Sequence, residues 1–78
     1  MLEYRCETEY QKMVIHDIAE ICGPKGKRTA SYSELENLGH NPAELSLALV
    51  FLRDAGLIRS IVNFPNDVPF IFRLVAFP

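Results

Sequence analysis

Three helix-start signals follow one another closely along the chain, and they limit its fold more than any other feature. Thr8 precedes Gln11, and Ser31 precedes Glu34, with the spacing of a capping box, in which each of two side chains bonds the other residue's backbone amide. Asn41 stands before a proline at the first helical position, another common way to begin a helix. These signals predict three short helices.

The predicted helices end at glycines. Gly23, Gly39 and Gly56 each follow a stretch with helical apolar spacing, where a residue in the left-handed conformation can stop a helix. The chain is therefore predicted to form helices over residues 8–22, 32–38 and 42–55.

The last third of the chain changes to β-branched and aromatic residues, which are typical of strands. Turn-forming residues 63–69 lie between two such stretches, so a β-hairpin is predicted over residues 57–77 with residues 63–69 as its loop. Regular alternation would put Ile61 and Val62 on opposite faces of its first strand. The two predicted strands contain one arginine each, Arg59 and Arg73. Such single arginines either contact an acidic partner or lay their apolar stems over apolar surface with the charged end in water.

Residues 1–7 fit two structures. Leu2, Tyr4 and Cys6 alternate with polar residues as in a strand, and the same side chains also fit a helix extended backwards. Because the capping box at Thr8 offers a natural helix start, residues 1–7 are predicted to form an N-terminal arm.

The predicted order of elements is helix, a short strand at residues 29–30, helix, tight turn, helix and hairpin. With residues 33–39 (SELENLG) and the helix end at residues 52–59 (LRDAGLIR), this order resembles the winged helix-turn-helix superfamily over residues 8–77. The resemblance implies a single α+β domain, residues 1–78, in which a three-helix bundle carries a C-terminal β-hairpin wing. It does not imply one kind of ligand, since winged helices bind DNA, RNA, proteins and one another.

The composition favours a protein partner over a nucleic acid. The formal net charge is −2, whereas nucleic-acid binders are usually basic because they neutralise phosphates. Hydrophobic residues make up 49% of the chain, and a chain of this length buries only about 60–65% of the surface that it exposes when unfolded. Part of the apolar surface is therefore expected to contact a partner or a second copy. A strongly apolar core in a monomer is the alternative.

The helix predicted at residues 42–55 has apolar side chains on two sides. The resemblance implies that one stripe packs against the other helices. In DNA-binding winged helices, the opposite face of this helix enters the DNA major groove. Residues 42–51 contain no basic side chain for that task, so this face is predicted to bind a protein partner or to form a homodimer. In the alternative, part of the face packs under the wing or against residues 1–7. The predicted partner-binding residues are Leu47, Val50 and Phe51, flanked by Glu44 and Asp54.

A second interpretation is a small transcriptional regulator that binds DNA weakly. Its contacts would come from a basic loop, Lys25, Lys27 and Arg28, together with Ser46 and Arg53 of the third helix. The apolar face of that helix would then serve dimerisation. A charged loop of this kind is more often simply solvated, so a protein partner is the favoured prediction.

The sequence contains no recognisable motif for catalysis or metal binding. His16 and His40 lie in different predicted elements, and no Ser, Cys or carboxylate is spaced to pair with either in a catalytic motif. Cys6 and Cys22 add no metal-ligand spacing and are expected to be reduced thiols. The protein is predicted to be non-catalytic, with no cofactor, metal or small-molecule substrate. Without a signal peptide or an apolar run of membrane-spanning length, it is predicted to be cytoplasmic, with no membrane partner.

Overall fold

Three helices and three strands make up the part of the chain that a computed structural model describes, residues 6–23 and 28–75. Helix α1 is Glu9–Cys22, α2 is Tyr32–Asn37 and α3 is Pro42–Asp54. Strand β1 is Ala30–Ser31, β2 is Ile58–Asn63 and β3 is Pro69–Leu74. The strands form an antiparallel sheet in the order β1-β3-β2, so the protein is a small α+β domain.

Parts of the predicted arm and hairpin fall outside the described residues. These are residues 1–5 of the arm and residues 76–77 of the hairpin. Where the structure describes the helices, α2 and α3 end at Asn37 and Asp54, one residue before their predicted ends. A difference of one residue is normal at helix ends, where the last turn is loosely defined.

Side-chain caps begin the helices. Thr8 and Ser31 each complete a capping box, in which the hydroxyl oxygen accepts from the backbone amide of Gln11 or Glu34. The side chain of Gln11 or Glu34 accepts in turn from the backbone amide of the cap residue. The carboxamide oxygen of Asn41 accepts from two backbone amides at the start of α3. These amides have no partner inside a helix, so the local sequence determines where each helix starts.

One core joins the helices to the inner face of the sheet. The middle strand β3 contributes Phe72, whose side chain is completely buried. Burial of each large apolar side chain is worth about 1.5–3 kcal/mol, which makes this core the main source of stability. Every buried polar side-chain atom in the described residues has a hydrogen-bond partner. The stripe that α3 contributes consists of Leu45, Ala48, Leu49 and Leu52.

The β2–β3 hairpin has a shorter loop than the sequence predicts. The loop is predicted to include Asn63 and Pro69, but these two residues pair at the ends of the strands and leave residues 64–68 as the loop. The Phe64 backbone amide donates to the Val68 carbonyl across this loop, at 2.8 Å. Proline is tolerated as the first residue of a strand, so turn-forming residue types do not by themselves mark where pairing stops.

A β-bulge changes which side chains β2 exposes. The register shifts between Ser60 and Val62, so Ile61 has no register partner on β3. Ile61 and Val62 are both exposed, by 53% and 44%. The bulge interrupts the regular alternation of side chains on which the prediction of opposite faces depends.

Two arginines lie directly opposite each other on β2 and β3. Arg59 and Arg73 are register partners, and both are exposed. Neither forms an ion pair within the described residues, and the strands contain no aspartate or glutamate. Like charges at directly opposite positions of a sheet repel and lower its stability.

Replacing one arginine with an acid is expected to stabilise the sheet. Arg59→Glu converts the repulsive pair with Arg73 into an attractive one and raises the free energy of unfolding by about 0.2–1 kcal/mol. Urea unfolding followed by circular dichroism measures the change. Arg28→Glu alters an exposed arginine outside the sheet and is the matched control, with an effect within about 0.5 kcal/mol. A midpoint for Arg59→Glu at or below the wild-type value contradicts the repulsion.

Candidate functional site

The outer side of α3 carries one largely exposed apolar side chain and two half-buried ones. Leu47 is 75% exposed, more than any other large apolar residue in the described part of the chain. Val50 and Phe51 follow it at helical spacing, and both pack partly against the core. Glu44 and Asp54 are exposed at the two ends of this surface. We call these five residues the α3 surface.

The α3 surface is less open than the predicted apolar stripe. Leu47, Val50 and Phe51 are all predicted to bind a partner, but in the structure Leu47 is the one of the three that is largely exposed. Val50 and Phe51 are half-buried because they also contact the core. The alternative, in which these two side chains pack under the wing or against residues 1–7, stays a prediction, and residues 1–5 lie outside the described residues.

The hairpin loop folds onto one side of α3. The Arg53 guanidinium donates to the Asp67 backbone carbonyl at 2.6 Å and lies 3.3 Å from the Asp67 carboxylate. Ser46, Val50 and Arg53 are spaced i, i+4 and i+7, so Val50 lies on the same side of the helix as Arg53. The loop thus contacts the side of α3 on which Arg53 lies.

Tyr32 connects α2, α3 and the hairpin loop. Its hydroxyl donates to the Pro42 carbonyl at 2.8 Å and lies 2.9 Å from the Ser46 hydroxyl. Its ring packs edge-on against Phe64 with a centroid distance of 5.1 Å, and Phe64 in turn packs against Phe70. The Ser46 hydroxyl also donates to the Pro42 carbonyl. Ser46 is therefore used within the fold.

The structure does not assemble the residues predicted to contact nucleic acid. Lys25 and Lys27 lie outside the described residues, and Arg28 is exposed. Arg53 and Ser46 both bind other parts of the protein. Of the predicted nucleic-acid contacts that the structure describes, Arg28 is the one whose side chain has no partner within the described residues.

A buried histidine links α1 to the turn between α2 and α3. The side chain of His40 is 5% exposed, with Nδ1 2.8 Å from the Tyr10 hydroxyl and Nε2 2.6 Å from the Asp17 carboxylate. An ionised carboxylate only accepts hydrogen bonds, so Nε2 donates to Asp17. In the tautomer with its proton on Nε2, Nδ1 accepts from the Tyr10 hydroxyl. Sequence reasoning misses this cluster because His40 is far from Tyr10 and Asp17 in the chain and the three residues form no motif.

This cluster keeps its tyrosine protonated. Burial raises the pKa of Tyr10, and the nearby carboxylates of Glu44 and Asp17 raise it further. The protonated hydroxyl is the form that donates to His40. Because an activated nucleophile needs a lowered pKa, this direction suits a polar connection between elements better than a reactive tyrosine.

Residues 6–23 and 28–75 contain no candidate metal site and no candidate membrane-spanning helix. No cluster of three or more His, Cys, Asp or Glu side chains there is arranged to bind a metal. No helix in the same residues combines the length and the apolar character that a bilayer requires.

Comparison with known proteins adds no family. The chain matches no family model, and no curated protein or solved structure matches it. The contacts and surfaces of this domain are therefore the basis on which its function is inferred.

Loss of the Asp17 carboxylate is expected to weaken the link between α1 and the turn that joins α2 to α3. Asp17→Ala leaves the Nε2–H of His40 without its acceptor, which lowers the free energy of unfolding by about 1–3 kcal/mol. Urea unfolding measures the loss. Glu20→Ala removes an exposed carboxylate from the same helix and is the control, with an effect within about 0.5 kcal/mol. Equal effects of the two substitutions would show that His40 does not depend on Asp17.

The raised pKa of Tyr10 predicts a loss of stability at alkaline pH. The native state holds this proton more tightly than the unfolded chain, where the pKa is near its usual 10.0. The stabilisation is therefore fully present below that pH and is lost as the pH rises through the native pKa. Tyr10→Phe is expected to remove this part of the decline, although it also lowers stability at neutral pH because His40 loses a donor.

Urea unfolding across the alkaline range measures the pH dependence of stability. Tyr32→Phe is the control, since it removes another hydrogen-bonded hydroxyl and leaves Tyr10 in place. If stability declines with the same slope in Tyr10→Phe and in the wild type, Tyr10 does not contribute to the alkaline loss.

Proposed function

We propose that this chain is a winged-helix domain that binds another protein and catalyses no reaction. The order of elements supports this fold, since α1, β1, α2 and α3 precede the β2–β3 hairpin and the short β1 pairs with β3. Only residues 38–41 separate α2 from α3, as in a helix-turn-helix pair. The hairpin takes the place of the wing.

The α3 surface is the proposed binding site. The observation that carries the proposal is Leu47, which is 75% exposed in the middle of a helix whose opposite stripe is fully buried. Val50 and Phe51 widen it into an apolar patch, and their contacts with the core hold them in place before binding. Apolar and aromatic anchors supply most of the affinity in protein interfaces. Burying the Leu47 side chain against a partner is worth about 1.5–3 kcal/mol.

The charges around this patch favour a partner with basic residues at the edge of its own surface. Glu44 and Asp54 are exposed at the two ends of the α3 surface. Carboxylates at the rim of an interface attract Lys or Arg on the partner and help to select it. A homodimer is the simplest form of the proposal, and a different protein is the other form.

The same surface is poorly suited to nucleic acid. Glu44 and Asp54 repel phosphates, and residues 42–51 contain no Lys or Arg. Arg53, the one arginine of α3, is held by the hairpin loop. A DNA-binding regulator would therefore depend on Arg28 and the loop before it. DNA binding is the outcome against which the proposal is tested.

Leu47→Glu is expected to weaken association without unfolding the domain. Sedimentation velocity over a wide range of protein concentration measures self-association, and the wild type is expected to dimerise as the concentration rises. The substitution puts a charge into the interface and weakens dimerisation at least about tenfold, which corresponds to about 1.4 kcal/mol. Leu38→Glu makes the same change at another exposed leucine and is expected to leave dimerisation intact. Both variants keep their stability within about 0.5 kcal/mol of the wild type.

The same runs with nonspecific duplex DNA at low salt separate the two functions. A dimer that ignores DNA supports the proposal. A monomer that sediments with DNA, and leaves it as the salt concentration rises, contradicts it and favours a DNA-binding domain. A monomer that ignores DNA excludes the homodimer. Affinity capture that compares the wild type with Leu47→Glu then tests for a different protein partner.

A further inference from the structure

The outer face of the sheet, on the side away from the core, is a second exposed surface. Arg59 and Arg73 lie side by side on this face as exposed register partners. Ile61 and Val62 follow along β2 and are exposed at the bulge, and Ile71 stands opposite Val62. We call these five residues the sheet surface.

The sheet surface is cationic, whereas the helices are acidic. The strands contain two arginines and no carboxylate, a formal charge of +2, whereas the whole chain has a net charge of −2. The helices contain seven carboxylates and two basic side chains, a formal charge of −5. The strands and the helices thus carry opposite net charges. The helical carboxylates are Glu9, Asp17, Glu20, Glu34, Glu36, Glu44 and Asp54, and the basic residues are Lys12 and Arg53.

The arginine pair is a local conflict within the fold. Arg59 and Arg73 repel each other across the strands, and neither has an ion-pair partner within the described residues. Conflicts between a residue and the stability of its own element are expected mainly at functional sites. A carboxylate between the two side chains would relieve the repulsion and accept paired hydrogen bonds from the guanidinium groups. The pair is therefore prearranged for an anionic ligand.

We propose that the sheet surface binds an acidic segment of another protein that also carries apolar side chains. Carboxylates of this segment bind between Arg59 and Arg73, and its apolar side chains cover Ile61 and Val62. The arginine pair and the adjacent apolar side chains together select the class of ligand. A phosphate group uses the arginines alone, whereas an acidic and partly apolar segment uses the whole surface.

Other occupants fit the sheet surface less well. A symmetric dimer puts the same patch of each copy against the other, and this would bring the arginine pairs together without a carboxylate in the strands to separate them. Nucleic acid would place its charged backbone against Ile61 and Val62, on a domain whose net charge is −2. The acidic segment is the occupant that the charge of the surface and its apolar part both favour.

This proposal is separate from the function proposed for the α3 surface. The α3 surface presents Leu47 between carboxylates and favours a basic partner, while the sheet surface favours an acidic one. Leu47→Glu is therefore expected to leave binding at the sheet surface unchanged. One of the two proposals can fail while the other holds.

Fluorescence anisotropy with a defined peptide tests the proposal. The probe is a capped, fluorescein-labelled peptide that repeats Glu-Val-Glu-Ser, and the reference peptide has Lys in place of every Glu. The wild type is expected to bind the acidic probe and not the basic one, with an affinity that falls as the salt concentration rises. Amide chemical shifts of the ¹⁵N-labelled protein are expected to change in β2 and β3 when the acidic probe is added.

Substitution of the arginine pair locates the binding energy. Arg59→Gln combined with Arg73→Gln is expected to weaken binding of the acidic probe at least about tenfold. Arg28→Gln removes one arginine charge outside the sheet and is expected to change the affinity less than about twofold. Circular dichroism and thermal melting confirm that each variant is folded, which is expected because all three side chains are exposed.

Several outcomes would overturn the proposal. One is failure of the acidic probe to bind at low salt, or equal binding of the basic peptide. Others are an unchanged affinity in the double arginine variant, or chemical shift changes confined to α3. Duplex DNA that displaces the probe and itself needs Arg59 and Arg73 would assign the pair to nucleic acid. Self-association of the domain that disappears in the double variant would assign the surface to a second copy.

Discussion

Burial of Phe72 in the middle strand is the contact on which the rest of the structure depends. β3 pairs with β1 on one side and with β2 on the other, and all three helices pack against it. Phe72 is completely buried as a result. A chain of this size has room for one core, so most of its apolar stabilisation comes from this side of the sheet. The outer side of the sheet and the outer side of α3 remain in contact with water.

These two outer surfaces differ in their chemistry. Leu47 on α3 lies between carboxylates, whereas Ile61 and Val62 on the sheet lie beside arginines. The net charge of −2 conceals this separation, because an average over the whole chain does not show where each charge lies. The two proposals together describe a domain that holds protein segments of opposite charge on different faces, and this use requires no reactive group.

Contacts between distant parts of the chain determine what α3 presents. The hairpin loop holds Arg53, and Tyr32 and Pro42 hold Ser46, so two side chains that were candidates for phosphate binding serve the fold instead. His40 fixes the turn before α3 through Tyr10 and Asp17. The contacts of His40 and Tyr32 satisfy partly buried polar groups that would otherwise lower stability. They also leave Leu47 as the most exposed apolar side chain of the described residues.

The sequence by itself determined the helix starts and the buried stripe of α3, because capping and helical spacing depend on residues only a few positions apart. It identified Leu47 as part of the candidate site for the same reason. The tertiary structure alone decided the length of the hairpin loop, the bulge at Ile61 and the partial burial of Val50 and Phe51. These features result from strand register and from packing between elements that are distant in the chain, and neither is encoded in the spacing of residue types along one element.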